Sequence, residues 1–269
     1  MKRAIIALTV VIAVGVVLLG FMGVELESSA DMNNVTDIRI TTRNQRVHIR
    51  PISGNEARVE AIGVFPGSTL RVEVESGLLS IDVWEPRMVD FRPVNFVSSH
   101  LIVYLPDEVY ETLFVQTSNG RVYIGGFEIG ELTVQTTNGR VYVDDIVGNV
   151  DIRTSNGRIY ASNIVGEMFE VRSSSGRLNL IDITGNIRGE TSNGAIYFNN
   201  PTIEQDINLI TSNGRVIISL DEKPENASFR LQTTNSRISL FGYQNERWEI
   251  GDGRYEIDIR TSNGRITVE

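Results

Sequence analysis

From Val35 to Glu269 the chain alternates apolar and polar residues in short runs, and no stretch repeats its apolar positions at helical spacing. Ile38 and Ile40 share one side of a first run. Arg58 to Val64, Leu70 to Glu75 and Leu78 to Val83 continue the alternation, with turn signals at Pro66-Gly67 and Ser76-Gly77. Glu85 to Ser99, which holds Pro86 and Pro93, breaks the rhythm and reads as a loop. Leu101 to Leu105 then ends at Pro106, and Glu108 to Leu113 leads into a far more regular text.

That text is a repeat. Thr-Ser-Asn-Gly-Arg followed by a β-branched residue stands at Thr117 to Val122 and returns, with small variations, from Thr136, Thr154, Ser173, Thr191, Thr211, Thr233 and Thr261. The Asn positions, with Ser175 as the substitute in the fourth copy, are 119, 138, 156, 175, 193, 213, 235 and 263. A fixed period of this kind marks a stacked architecture. Thr41 to Val47 reads as a degraded copy, as expected of an end cap.

One unit can be parsed position by position. Leu132 and Val134 point to one side of a strand while Thr133 and Gln135 point to the other; beyond Asn138-Gly139, Val141 and Val143 point inward, Arg140 and Tyr142 outward. Asn-Gly is a strong hairpin signal through its tolerance of positive φ, so a row of antiparallel hairpins competes with a coil. A second turn in each unit, at Gly125-Gly126, Gly148-Asn149, Val165-Gly166 and Gly185-Asn186, favours the coil. So does the positional identity of the units, because stacking them as parallel rungs about 4.8 Å apart places like residues above one another. The expectation is an all-β parallel β-solenoid of 18–20-residue rungs. Residues 35–112 form its diverged N-terminal rungs and 113–199 its regular repeats. Residues 200–269 form lengthened rungs and a C-terminal cap, with Arg254 to Glu269 as the last rung.

Ahead of this region, Ala4 to Gly23 carries no charge and follows Lys2 and Arg3. Twenty residues at about 1.5 Å each span the hydrocarbon of a bilayer. Residues 1–23 are therefore expected to be a cytoplasmic stub and an uncleaved transmembrane anchor, with everything after it exported. Residues 24–34 read as a short polar linker.

Composition narrows the functions. The net charge of −9 argues against nucleic acid, which demands a basic footprint. There is no cysteine, which removes disulfides, thiolate metal sites and cysteine nucleophiles together. Of the 25 cationic side chains only Lys2 and Lys223 are lysines, and the rest are arginines, which favour bidentate and stacked contacts.

The stretch ending in a Leu-Pro step (Val103 to Pro106) and the repeated Thr-Ser/Thr-Asn-Gly units resemble the putative adhesin family of prokaryotic β-solenoid proteins, over about Val35 to Glu269. The resemblance implies an extracytoplasmic, membrane-associated solenoid of undetermined function, sometimes linked to surface attachment or envelope stress. It brings no catalytic residues with it.

The candidate site is the outward strip Arg121, Tyr123, Arg140, Tyr142, Arg158, Tyr160, Arg177, Tyr197 and Arg215. It suits carbohydrate rings or an acidic glycopolymer, with arginine offering bidentate contacts to carboxylate or phosphate; equally, the tyrosines serve as sheet cover and the arginine stems pack over them. Asp144 and Asp145 face opposite ways and make no acid/base pair. His48 and His100 lack a nucleophile and carboxylate for a triad. No catalytic residues, metal ligands or cofactor are expected. The function this supports is a non-catalytic envelope protein presenting a binding or structural surface. A sensor acting through a membrane partner is the alternative, and a polysaccharide-active β-helix enzyme fits less well.

Overall fold

The computed structural model describes residues 23–86 and 99–269, and within them every regular element is a strand. The N-terminal part contributes β1 (Val24–Asp31), β2 (Asp37–Thr41), β3 (Arg46–Ile52), β4 (Glu56–Val64), β5 (Thr69–Glu75), β6 (Leu78–Trp84) and β7 (His100–Pro106). The repeats supply β8 (Tyr110–Thr117), β9 (Val122–Thr136), β10 (Val141–Thr154), β11 (Ile159–Ser173), β12 (Leu178–Thr191), β13 (Ile196–Asn200), β14 (Ile207–Thr211) and β15 (Val216–Leu220). The C-terminal part holds β16 (Ala227–Thr233), β17 (Ile238–Leu240), β18 (Arg247–Ile250), β19 (Tyr255–Thr261) and β20 (Ile266–Val268).

The repeats stack in parallel, as the positional identity of the units demands. Val141 pairs with Val122 on one side and Ile159 on the other, and Thr154 with Thr136 and Ser173. Each rung has a leading segment before the Thr-Ser-Asn-Gly corner and a trailing segment after it. Alternation sends Val122 and Ile124, Val141 and Val143, Ile159 and Ala161, Leu178 and Leu180 inward, all buried. Complete burial of one such aliphatic side chain stabilises by about 1.5–3 kcal/mol, and every rung repeats it. The antiparallel-hairpin alternative is excluded for these strands.

The Asn-Gly corner works differently from the hairpin expectation. Neither Asn138 nor Gly139 has a positive φ, and the same holds for the other Thr-Ser-Asn-Gly copies. Glycine is required by the stack itself: a Cβ on Gly139 would lie 1.8 Å from the Gly120 carbonyl oxygen, and one on Gly157 would lie 1.7 Å from that of Gly139. The leading Thr closes the corner, since the Gly157 amide donates to Thr154 Oγ1 at 2.9 Å. Asn side chains then bond rung to rung, with Asn138 Nδ2 donating to Asn119 Oδ1 and Asn156 Nδ2 to Asn138 Oδ1, each at 2.8 Å.

The single second turn resolves into two. In β10 the alternation of buried and exposed residues breaks at Asp144-Asp145 and again at Gly148-Asn149. The first break belongs to a column of left-handed residues: Gly126, Asp145, Asn163 and Asp182, with φ of 79°, 55°, 54° and 52°. The second belongs to a glycine column that includes Gly148, where a Cβ would lie 1.6 Å from the Ile129 carbonyl oxygen. Gly125-Gly126 and Gly148-Asn149 therefore mark different corners.

Both ends depart from chain order. β2 and β3 are inserted between β6/β7 and β8/β9: β2 pairs with β6 and β8, β3 with β7 and β9. At the other end β19/β20 lie between β14/β15 and β16/β17. The rung from Arg254 onward is thus internal, and the earlier residues 227–240 form the last parallel rung. Antiparallel strands close the edges: β5 on β6, β4 on β7, β1 on β4 and β18 on β16. Strands that pair against the run of the stack block further parallel addition.

The expected linker is mostly strand. β1 occupies Val24–Asp31 and buries Leu26, with Met32 and Val35 buried just beyond it. The alternation of VELESSAD is masked in the sequence by its acidic and hydroxyl side chains. The expected transmembrane segment lies, apart from Gly23, outside the described residues; among those that are described, no helix is long and apolar enough to cross a membrane.

Candidate functional site

The trailing segments set the strip. Arginine follows the corner glycine and must face out because the next residue fills the core; two residues on, the tyrosine faces out again. Register places Tyr123 beside Tyr142 and Tyr142 beside Tyr160. Their rings lie parallel, with centroids 4.7 and 4.8 Å apart and interplanar angles of 4° and 2°.

The inserted rung lengthens this column. His48 stacks on Tyr123 at 4.4 Å, and His100 stands 5.9 Å beyond His48. The sequence held a signal for His48, since Arg46-Val47-His48-Ile49 follows the pattern of Arg121-Val122-Tyr123-Ile124. Both imidazoles have their pKa lowered. Burial is the chief cause, followed for His48 by Arg50, His100 and Arg46, and for His100 by Arg46. Both rings are therefore held toward the neutral form.

Stacking decides what the rings can offer. A ring whose two faces meet other rings at strand spacing presents only its edge and hydroxyl outward. Tyr123 lies between His48 and Tyr142, and Tyr142 between Tyr123 and Tyr160, so the faces of both rings are taken by neighbours. The column breaks at Asn179, which lies in register between Tyr160 and Tyr197. There the Arg177 and Arg215 guanidinium carbons stand 5.2 and 5.9 Å from the Tyr197 ring centroid. Among the described residues, packing of an arginine of the strip over a tyrosine of the strip is confined to Tyr197.

The arginines form their own column. Backbone bonds step through it, from Val122 N to the Arg140 carbonyl, Val141 N to Arg158 and Ile159 N to Arg177. Further on they run from Ile196 N to Arg215, Val216 N to Arg265 and Ile266 N to Arg237. Ala195 interrupts the line once. Arg265 and Arg237 thus extend the strip beyond Arg215, the last arginine expected in it.

The leading face, before the corner, handles arginine differently. Arg153 pairs with Asp151 at 2.7 Å, and Arg188 with Glu190 at 2.8 Å and Glu170 at 3.5 Å. Arg172 pairs with Glu170 and, at 3.4 Å, with Glu190. The hydrogen bond from Arg188 is the first reason the Glu190 carboxyl is held below the usual carboxylate range. In contrast, Arg121, Arg140, Arg158, Arg177, Arg215, Arg265 and Arg237 make no ion pair and no side-chain hydrogen bond among the described residues.

Two hollows flank these faces. Beside the aromatic column a groove of ≈ 660 Å³ is lined by His48, Arg50, Tyr123, Tyr142, Asp144 and Tyr160. Beside the leading segments a larger, hydroxyl-rich groove of ≈ 1080 Å³ runs along Thr136, Thr154, Ser173 and Thr191, with Arg153 and Glu190 at its rim. Asp144 accepts from Ser162 Oγ at 2.6 Å and Asn163 Nδ2 at 3.0 Å, which ties it to the next rung. Among the described residues, no group of three or more His, Asp or Glu side chains is placed to hold a metal ion.

Comparison with known proteins places this architecture. No curated protein matches the chain. Among solved structures, it is similar to a "putative adhesin" from Bacteroides fragilis, at 14% identity over 91% of this chain and 97% of that one, with a TM-score of 0.44. A "putative cell adhesion protein" from Clostridium sporogenes shares 12% identity over 91% and 97%, with a TM-score of 0.29. A "putative lipid binding protein" from Parabacteroides distasonis shares 14% over 91% and 97%, with a TM-score of 0.43. At such scores these likenesses carry no functional argument. The family model for Toastrack DUF4097 matches residues 35–269, which is the whole repeat region and its diverged beginning. The chain belongs to the Toastrack DUF4097 family.

Proposed function

We propose that the chain is a non-catalytic, single-pass protein of the cell membrane that holds its solenoid outside the cell and offers the trailing face as an adhesin-like binding surface. The uncharged run from Ala4 to Gly23 behind Lys2 and Arg3 supports the anchor and its orientation. Because β1 begins at Val24, such an anchor joins the folded part without a flexible tether. The partner in this reading is a surface or wall glycopolymer, or another envelope protein, and no cofactor takes part.

The observation that carries the reading is the contrast between the two faces. Arg153, Arg172 and Arg188 of the leading segments are paired with carboxylates of their own or the neighbouring strand, while the arginines of the trailing column make no ion pair among the described residues and lie beside a column of rings. Folding accounts for the first arrangement and leaves the second unused.

The test is retention of the full chain on isolated envelope fractions. The parent chain should be retained, and Arg140→Ala with Tyr142→Ala should reduce retention several-fold while the strand content is unchanged. Failure of the parent chain to bind any envelope fraction would overturn the reading.

A further inference from the structure

We propose that the arginine column binds a linear polyanion laid along the stack axis, one phosphate or carboxylate to each rung or two. This names the ligand class for the surface proposed above and rests on that reading.

Three features of the column point to this ligand. The first is its charge. Neighbouring guanidinium groups one rung apart repel by up to about 0.9 kcal/mol in water before salt screening, and on the leading face the same fold removes such repulsion with Asp151, Glu170 and Glu190. No carboxylate of the described residues does so for Arg121, Arg140 or Arg158. In a chain of net charge −9, seven unpaired arginines in one line are a local exception rather than a general surplus.

The second is shape. The column is one side chain wide and follows the hydrogen-bonded direction of the sheet from Arg121 through Arg177 to Arg237, with one gap at Ala195. The adjoining rings fix the axial repeat at 4.7–4.8 Å. A narrow line of cations fits an extended polymer with an anion on each sugar-sized or smaller unit. A lipid surface would call for a broad patch.

The third is chemistry. Guanidinium is a planar fork suited to bidentate capture of carboxylate or phosphate. Parallel stacking on both faces leaves Tyr123 and Tyr142 with edges and hydroxyls outward, so these rings offer hydrogen bonds to the polymer rather than platforms for its sugar faces. Recognition is then carried by the anions.

The experiment uses the full chain and four probes: long-chain inorganic polyphosphate, polygalacturonate, neutral dextran, and vesicles of phosphatidylglycerol. Two variants remove the same charge from different faces: Arg140→Gln with Arg158→Gln, and Arg153→Gln with Arg172→Gln. We expect polyphosphate, polygalacturonate or both to bind and dextran not to. The trailing-face pair should lower affinity at least tenfold and the leading-face pair less than about twofold. The log–log dependence on salt should flatten by roughly one to two for the trailing-face pair alone, since fewer counterions are released. Equal losses from both pairs would reduce the effect to net charge and overturn the proposal. Binding to neither polymer would also overturn it, and binding to the vesicles alone would replace it with a membrane-surface site. If envelope fractions still retain the chain while both polymers fail, the ligand class falls and the proposed function stands; if neither binds, both fall.

Discussion

Asn263 donates its side-chain amide to Asn213 at 2.7 Å although the two residues are 50 positions apart, while Asn235 donates to Asn263 from the other side at 2.7 Å. The asparagine ladder thus runs 193, 213, 263, 235, and the rung nearest the chain's end is clamped between two earlier ones. A sequentially wound coil would lose only its outermost rung when shortened. Here, removal of residues 255–269 should strip β16 and β17 of their parallel partners and expose β14 and β15. The expected outcome is loss of amide hydrogen-exchange protection across 227–240 as well as 207–220. Protection of 227–240 that persists in the shortened chain would contradict this rung order.

The corner glycines should be among the least replaceable residues. In Gly157→Ala the new methyl meets the Gly139 carbonyl at 1.7 Å, so two rungs must separate. A cost of about 3 kcal/mol or more is expected in urea unfolding, at the severe end of single substitutions. Gly54→Ala supplies the comparison: its φ is +118° and no atom lies within 4 Å of the new Cβ, so its cost is conformational only, about 1–2 kcal/mol.

Ser175 interrupts the asparagine ladder between Asn156 and Asn193, and its side chain is too short to span the rungs. The backbone there keeps the repeat's bonds, with Ser175 N donating to the Ser155 carbonyl at 2.9 Å. Ser175→Asn should join the two halves of the ladder and raise stability by about 0.5–1.5 kcal/mol. An unchanged or lower unfolding midpoint would show that the gap is accommodated in another way.

The aromatic column makes stability pH-dependent. The pKa values of His48 and His100 are lowered from 6.5 in the folded chain, by burial first and neighbouring cations second. The unfolded chain then binds more protons below that value, so the contribution is complete above pH 6.5 and is lost as pH falls from there through the folded pKa values. His48→Tyr, which continues the tyrosine stack, should weaken this acid-side loss. A full retention of the loss in that variant would assign it to other groups.

The regular part of this fold was legible because Val, Ile, Asn and Gly recur at fixed places, and parallel stacking is the arrangement that puts each beside its own kind. The order of the end rungs was not, because every copy of the corner carries the same bonding groups. Asn263 can satisfy Asn213 as well as Asn235 can, and the long connection from Phe241 to Gly253 reaches over a rung either way. The strip was legible as far as alternation goes, since Arg140 and Tyr142 had to face out. Its occupied ring faces and the absence of carboxylate partners depend on register between rungs and on the leading face, neither of which any one unit records. The role given to positive φ at Asn-Gly failed because stack clearance, rather than backbone handedness, selects glycine there.

The central claim, that the trailing face is the working surface, is tested most directly by the arginine side-chain Nε–Hε resonances of the full chain as polyphosphate is added. The resonances of Arg121, Arg140 and Arg158 should shift together and saturate at one concentration, while those of Arg153, Arg172 and Arg188, already held by carboxylates, should stay in place. Shifts confined to the leading-face arginines, or none at saturating polymer, would contradict it.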